Sequence, residues 1–170
     1  MLRLRPYKPC DAKYILNWIT DEVSFHKWCS TLFSCYPLDE DMLNSYYDKW
    51  DYNPRNWAMT AFNESGVVGH MTIKFIDENL KTVRFGFIIV DDKKRGHGLG
   101  REMISLAIKY TDDILKAERI TLGVFENNPG AYRCYKSLGF TEVPLDEPSY
   151  REILGEKWRI IEMEKRLGAP

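Results

Sequence analysis

Arg95-Gly96-His97-Gly98-Leu99-Gly100 sets three glycines between two segments of different periodicity. Before it runs Phe85-Gly86-Phe87-Ile88-Ile89-Val90, nearly continuous in apolar character, as in a strand buried on both faces. After it, Met103, Ile104, Leu106, Ala107, Ile108 and Tyr110 recur at helical spacing. A strand, glycine loop and helix in that order aim backbone N–H groups and the positive end of a helix dipole at one point, which suits a phosphate. Lys93, Lys94, Arg95 and Arg101 surround the glycines and would receive a compact anion; the plainer account of that cluster is a solvated turn. A Walker-type loop is excluded, because no Gly-Lys-Ser/Thr is present. A dinucleotide fingerprint fails on spacing: the third glycine comes one residue early.

The rest of the chain supplies the layers. Leu2 to Arg5 alternates as a strand. Asp11 is expected to cap a helix that buries Tyr14, Ile15, Trp18 and Ile19, and a second helix spans Val23 to Trp28. Asp39 is expected to cap a third, with Met42, Leu43, Tyr46, Tyr47 and Trp50 on its buried side, ended by Asn53-Pro54. Strands follow over Trp57–Phe62, Val67–Phe75 and Thr82–Val90, joined by turns at Asn63–Gly66 and Asp77–Asn79. The helix after the glycine loop reaches about Leu115, and Arg119–Phe125 reads as a strand. Asn128-Pro129 opens a helix that Gly139 closes. Phe140–Val143 and Trp158–Leu167 read as the last strands. The order predicts an α/β (α+β) fold: a mixed, mostly antiparallel twisted sheet of about seven strands flanked by helices. It contains one parallel crossover, from 82–90 through the helix to 119–125.

Composition narrows the class. The 170 residues fit a single domain, 1–170, with 44% hydrophobic residues for a core. A net charge of −1 argues against a nucleic-acid binder. Cys10, Cys29, Cys35 and Cys134 form no CxxC pair, and with His26, His70 and His97 they make no metal spacing. No metal is expected. Met1-Leu2-Arg3-Leu4-Arg5-Pro6 lacks the apolar stretch of a signal peptide, and no run is long enough to span a membrane. The expected setting is cytoplasmic, with reduced thiols. The alternating final strand could pair in a homodimer.

Two motifs at the right separation carry a family resemblance. Arg95, Gly98 and Gly100 complete the pattern Arg/Gln-x-x-Gly-x-Gly/Ala after a strand. Asn128, Ala131, Tyr135 and Gly139-Phe140 complete a second, and Gly66-Val67-Val68-Gly69-His70 fits a strand preceding both. The chain resembles the GCN5-related N-acetyltransferases (GNAT) over nearly its whole length, most closely over 67–140. The N-terminal Leu-Arg-Leu-Arg-Pro and the aromatic helices are similar in general character to the ribosomal-protein alanine acetyltransferase branch.

The resemblance implies acetyl-CoA as acyl donor and a primary amine as acceptor, either a small molecule or a protein N-terminus. It implies that amides from Arg95 through Gly96, His97, Gly98, Leu99, Gly100 and Arg101 hold the pyrophosphate. The pantetheine arm would pair with the backbone of Ile88, Ile89 and Val90 like an added strand. Asn128 is read as the cap of its helix, and the same resemblance implies that it helps order coenzyme A. Tyr135 occupies the position of the acid that protonates the leaving thiolate. A phenol of pKa about 10 suits a thiolate of pKa about 8.5 and keeps its proton at neutral pH. A non-catalytic acyl-CoA-binding or sensing module of the same fold is the alternative function.

The acceptor's own proton matters. Neutralising a lysine at pH 7 costs about 4.6 kcal/mol, and an α-amino group only about 1 kcal/mol. Many relatives carry a glutamate two residues before the position of Gly86; here that residue is Arg84. Glu126, Asp21, Glu22 and His70 are the candidates left for a base. Arg84 could instead bind a substrate carboxylate. Phe25, Trp28, Tyr36, Tyr46, Tyr47, Trp50 and Trp57 are the candidate walls of the acceptor pocket, and Asp39, Glu40 and Asp41 would suit a cationic acceptor.

Overall fold

A computed structural model describes residues 1–168. Its strands are β1 (Arg3–Pro6), β2 (Asn56–Asn63), β3 (Gly66–Phe75), β4 (Thr82–Val90), β5 (Arg119–Phe125), β6 (Thr141–Glu142), β7 (Ser149–Ile153) and β8 (Glu156–Arg166). The helices are α1 (Ala12–Asn17), α2 (Glu22–Cys29), α3 (Glu40–Asp48), α4 (Leu99–Tyr110) and α5 (Pro129–Ser137). The sheet has 8 strands in the order β1-β2-β3-β4-β5-β8-β6, with β7 also on β8. All pairings are antiparallel except β4 with β5, the expected crossover.

The eighth strand is β7, which the reading of about seven strands lacks. It forms a hairpin with β8 across Leu154-Gly155, both at positive φ (53° and 75°), as a tight two-residue turn of the primed type requires. Leucine at the first position is not an Asn-Gly signal, so the turn was silent in the sequence. β8 is flanked by β5 on one side and by β6 and β7 on the other. It is interior over most of its length and does not offer the free edge that pairing with a second copy would need.

Two apolar clusters lie on opposite faces. One joins Val83, Phe85, Ile120, Leu122 and Met163 of the sheet to Met103, Ile104 and Ala107 of α4 and Tyr135 of α5. The three α4 residues follow the helical spacing read from the sequence. The other joins Phe87 and Ile89 of β4 to Ile15, Trp18, Phe25, Trp28, Leu43 and Tyr47 of α1–α3. Tyr14 and Met42, expected on buried faces, are exposed at 40% and 45%.

Strand β4 serves both clusters through a bulge. Thr72 pairs with Gly86, but His70 already pairs with Ile89, so Phe87 and Ile88 together oppose Met71. Phe87 sits at φ 48°, and the alternation inverts there. Val83 and Phe85 face the α4 cluster, whereas Phe87 and Ile89 face α1–α3, and Ile88 and Val90 turn back toward α4. Trp28 Nε1 donates to the Phe87 carbonyl at 3.1 Å, which satisfies a buried acceptor at the bulge and ties α2 to β4.

Asp11 corrects the first helix start. Its backbone is already helical, and it makes no side-chain cap to α1. Only 1% exposed, it accepts from Arg5 at 2.7 and 2.8 Å, from the Lys8 amide at 2.9 Å and from Thr60 Oγ1 at 2.8 Å. Burial alone would raise its pKa; these donors outweigh it and hold the carboxyl below its ordinary value. Asp21 and Asp39 do cap α2 and α3, accepting from Ser24 N and Met42 N.

Candidate functional site

Strands β4 and β5 pair only at Thr82–Arg84 with Arg119–Thr121. Both then run on past this register toward their C-terminal ends, and a cleft of about 770 Å³ opens between them. Its lining includes Phe85–Val90 of β4, Gly123–Phe125 of β5, the loop and first turn before and within α4, one side of α5 from Gly130 to Ser137, and one side of α2. The inner half of β4 is thus an unpaired strand edge inside a sheet, with backbone groups available to an extended ligand.

The glycine loop stands at the wide end. Gly98 is the N-cap residue of α4, at φ 81° and ψ 0°, and no side chain caps this helix. The first amides of a helix have no intrahelical acceptor, so they stay open to a ligand. Gly96 and Gly98 need glycine for their positive φ (80° and 81°). Gly100 does not: a Cβ there would meet only Val90 Cγ1, at an ordinary 3.9 Å. Gly130, at the start of α5, has nothing within 4 Å of an added Cβ. Both line the cleft, so the space that these glycines leave belongs to the cleft and not to a protein neighbour.

Of the residues predicted for this site, Ile88, Ile89, Val90, Arg95, Gly96, Gly98, Leu99, Gly100, Arg101, Asn128 and Tyr135 all line the one cleft. His97 does not. Its Nδ1 lies 3.0 Å from the Arg95 carbonyl, so its imidazole braces the loop from the outside. Asn128 accepts from the Ala131 amide at 3.4 Å, the expected cap of α5. Tyr135 is 6% exposed, and burial pushes its phenol above the ordinary value, so it holds its proton throughout the neutral range.

The candidate bases are dispersed. His70 is fully buried, with Tyr47 Oη at 2.6 Å from its Nε2, and lies outside the cleft lining. Burial pulls its pKa down to about 3. Glu126 pairs with Arg159 at 3.3 Å, and Glu22 lies 3.9 Å from His26. Among the described residues Asp21 is the carboxylate that lines the cleft; the Ser24 amide holds its pKa below the ordinary value. Of the seven aromatic candidates only Trp28 lines it. Phe25 and Tyr47 are core, and Trp57 packs on Phe75, its ring centre 5.8 Å away. Asp39, Glu40 and Asp41 begin α3 and are not cleft residues.

Arg84 is held by Glu162 of β8 in a two-point ion pair, Nη1 to Oε2 at 2.8 Å and Nη2 to Oε1 at 3.0 Å. The pair lies over Gly123, where an added Cβ would come within 2.8 Å of Arg84 Nη2 and 3.3 Å of Glu162 Oε1. Sequence reading missed Ser24, Lys27, Gly123 and Arg133 as lining residues. A glycine inside a strand was the one local signal available. Among the described residues no group of three or more His, Cys, Asp or Glu side chains could hold a metal ion, and no helix is long and apolar enough to cross a membrane.

Comparison with known proteins agrees with this geometry. Residues 1–141 match the family model described as acetyltransferase (GNAT) domain. The chain is 39% identical over 51 residues to spermine/spermidine N(1)-acetyltransferase of Bacillus subtilis strain 168, a match covering 30% of this chain and 34% of that protein. The chain therefore spans about a third of that relative's length. It is 30% identical over 115 residues to the L-amino acid N-acetyltransferase AaaT of Escherichia coli K12, covering 66% and 68%. The crystal structure of spermidine N-acetyltransferase from Vibrio cholerae in complex with CoA and spermine superposes with a TM-score of 0.82, at 22% identity over 97% of this chain and 95% of that one.

Proposed function

Because this chain belongs to the GNAT acetyltransferase family, we propose that it transfers an acetyl group from acetyl-CoA to a primary amine within a ternary complex. The observation that carries this reading is a bare-amide glycine loop at the start of α4 opening into the same cleft as the Tyr135 phenol. In this reading residues 1–170 act as one domain in the cytoplasm. The free thiols of Cys10, Cys29, Cys35 and Cys134 support a reducing compartment.

The loop amides from Arg95 to Arg101 hold the pyrophosphate, with Lys94, Arg95 and Arg101 supplying charge. The pantetheine arm adds to the open edge of β4 at Ile88–Val90 and brings the thioester between the parted strands. The neutral amine nitrogen forms a bond to the thioester carbonyl carbon. The carbon–sulfur bond then breaks, its electron pair leaves on sulfur, and sulfur takes the Tyr135 hydroxyl proton. The proton lost by nitrogen restores the phenol through solvent. The products are an N-acetyl amide and coenzyme A as free thiol.

Tyr135→Phe is the test. We expect acetyl-CoA binding, read by calorimetry, to be unchanged and turnover, read by thiol release over an amine panel, to fall about 100-fold or more. An unaltered rate would remove Tyr135 from the mechanism. Binding without turnover of any amine by the natural chain would favour an acyl-CoA sensor.

A further inference from the structure

Parallel β4 and β5 part just beyond Arg84 and Thr121, and the Arg84–Glu162 pair stands just outside the cleft lining, against the lining residue Gly123 and at the opposite end of β4 from the glycine loop. It lies on the sheet face away from α4. Val83 and Leu122, its neighbours along the strands, belong to the α4 cluster, and alternation puts Arg84, Gly123 and Glu162 on the other side. Gly123 lines the cleft and leaves the pair uncovered, with the Arg84 side chain 38% and the Glu162 side chain 28% exposed.

Resting on the transferase reading, we propose that Arg84 and Glu162 select a small zwitterionic acceptor, an α-amino acid carrying both its amine and its carboxylate, over a polyamine. A guanidinium carries five N–H donors in one plane, and Glu162 engages only two of its nitrogens. The outward donors take the acceptor carboxylate. The remaining lone pairs of Glu162 take its ammonium before the proton is lost. Each end of the acceptor thus meets the opposite charge.

The electrostatics of the cleft favour the same choice. Its charged lining on α2 is Asp21 with Lys27, again one of each sign, and Lys94, Arg95, Arg101 and Arg133 add positive charge elsewhere. A polyamine, positive at every nitrogen, finds no excess of negative charge here.

The experiment compares kcat/KM for L-amino acids, their carboxamides, an N-terminal peptide amide and spermidine, in the natural chain and in Arg84→Gln. We expect free amino acids to exceed their carboxamides about tenfold or more, and spermidine to fall below the best amino acid. In Arg84→Gln the acid-to-amide ratio should drop toward one, mainly through KM. That ratio is internal to each variant, so partial loss of folded protein moves both terms alike. Preference for spermidine, for the peptide amide, or an unchanged ratio in Arg84→Gln overturns the proposal. Acetyl-CoA titration separates the two readings. Binding with no amino acid turned over overturns the acceptor assignment alone, whereas loss of acetyl-CoA binding overturns the transferase reading beneath it.

Discussion

His70 is a titratable ring with 0% exposure, packed against Tyr7 and Tyr47 and bonded to the Tyr47 hydroxyl. Its folded pKa is about 3 against an ordinary 6.5, so between those values the unfolded chain binds a proton that the folded chain refuses. Its contribution is therefore complete above pH 6.5 and is lost as the pH falls, by about 1.4 kcal/mol per unit. Denaturant unfolding at pH 7 and pH 5 should show a loss of about 2 kcal/mol for the natural chain. His70→Gln should show a shallower slope; equal slopes would refute this. What was legible at this scale was local in sequence. The glycine loop, the Asn128 cap and Tyr135 belong to contiguous motifs. Glu162 lies 78 residues from Arg84, and nothing in one linear stretch announces that they meet. Asp11 misled for the same reason: Thr60, 49 residues away, is one of its donors.

The loop before α4 separates two roles of glycine. Gly98→Val puts a β-branched residue at φ 81°, a conformation that costs it about 1–2 kcal/mol or more. Both the unfolding midpoint and acetyl-CoA affinity should fall. Gly100→Ala meets only a 3.9 Å contact with Val90. It should leave the unfolding midpoint in place and lower acetyl-CoA affinity. Calorimetry and thermal unfolding on the two variants check this, and unchanged affinity in both would remove the loop from cofactor binding. The starts of α3 and α5 were readable because they begin with Asp39 and Asn128, each of which does cap. The β7–β8 hairpin was not, because Ser149–Ile153 is largely exposed and lacks a clean alternation.

The two larger cores lie on opposite faces of one sheet, with a small third cluster of Phe125, Ile153 and Trp158, and the cleft is bounded by elements of both large ones. A ligand that bridges α2, β4, α4 and α5 should stabilise the entire fold. At 100 times its dissociation constant, acetyl-CoA should contribute about 2.7 kcal/mol. For a chain of this size that is a rise of about 5–10 °C in unfolding midpoint, measurable by calorimetric scan. Tyr135→Phe should keep the rise and Gly98→Val should lose most of it; a full rise in Gly98→Val would contradict the loop assignment. The run β2-β3-β4-β5 was legible through the βββ meander and the single crossover, but the place of β8 between β5 and β6 was not. The parting of β4 from β5 was not, because it depends on backbone register and not on residue type. The inverted alternation at Phe87 carries a practical consequence for anyone randomising this strand. A library drawn on the odd-numbered positions would perturb one core up to residue 85 and the other from 87 onward. Variants at Phe85 and Phe87, near neighbours in sequence, should behave as genetically unlinked sites, each tolerant or intolerant according to partners on opposite sides of the sheet.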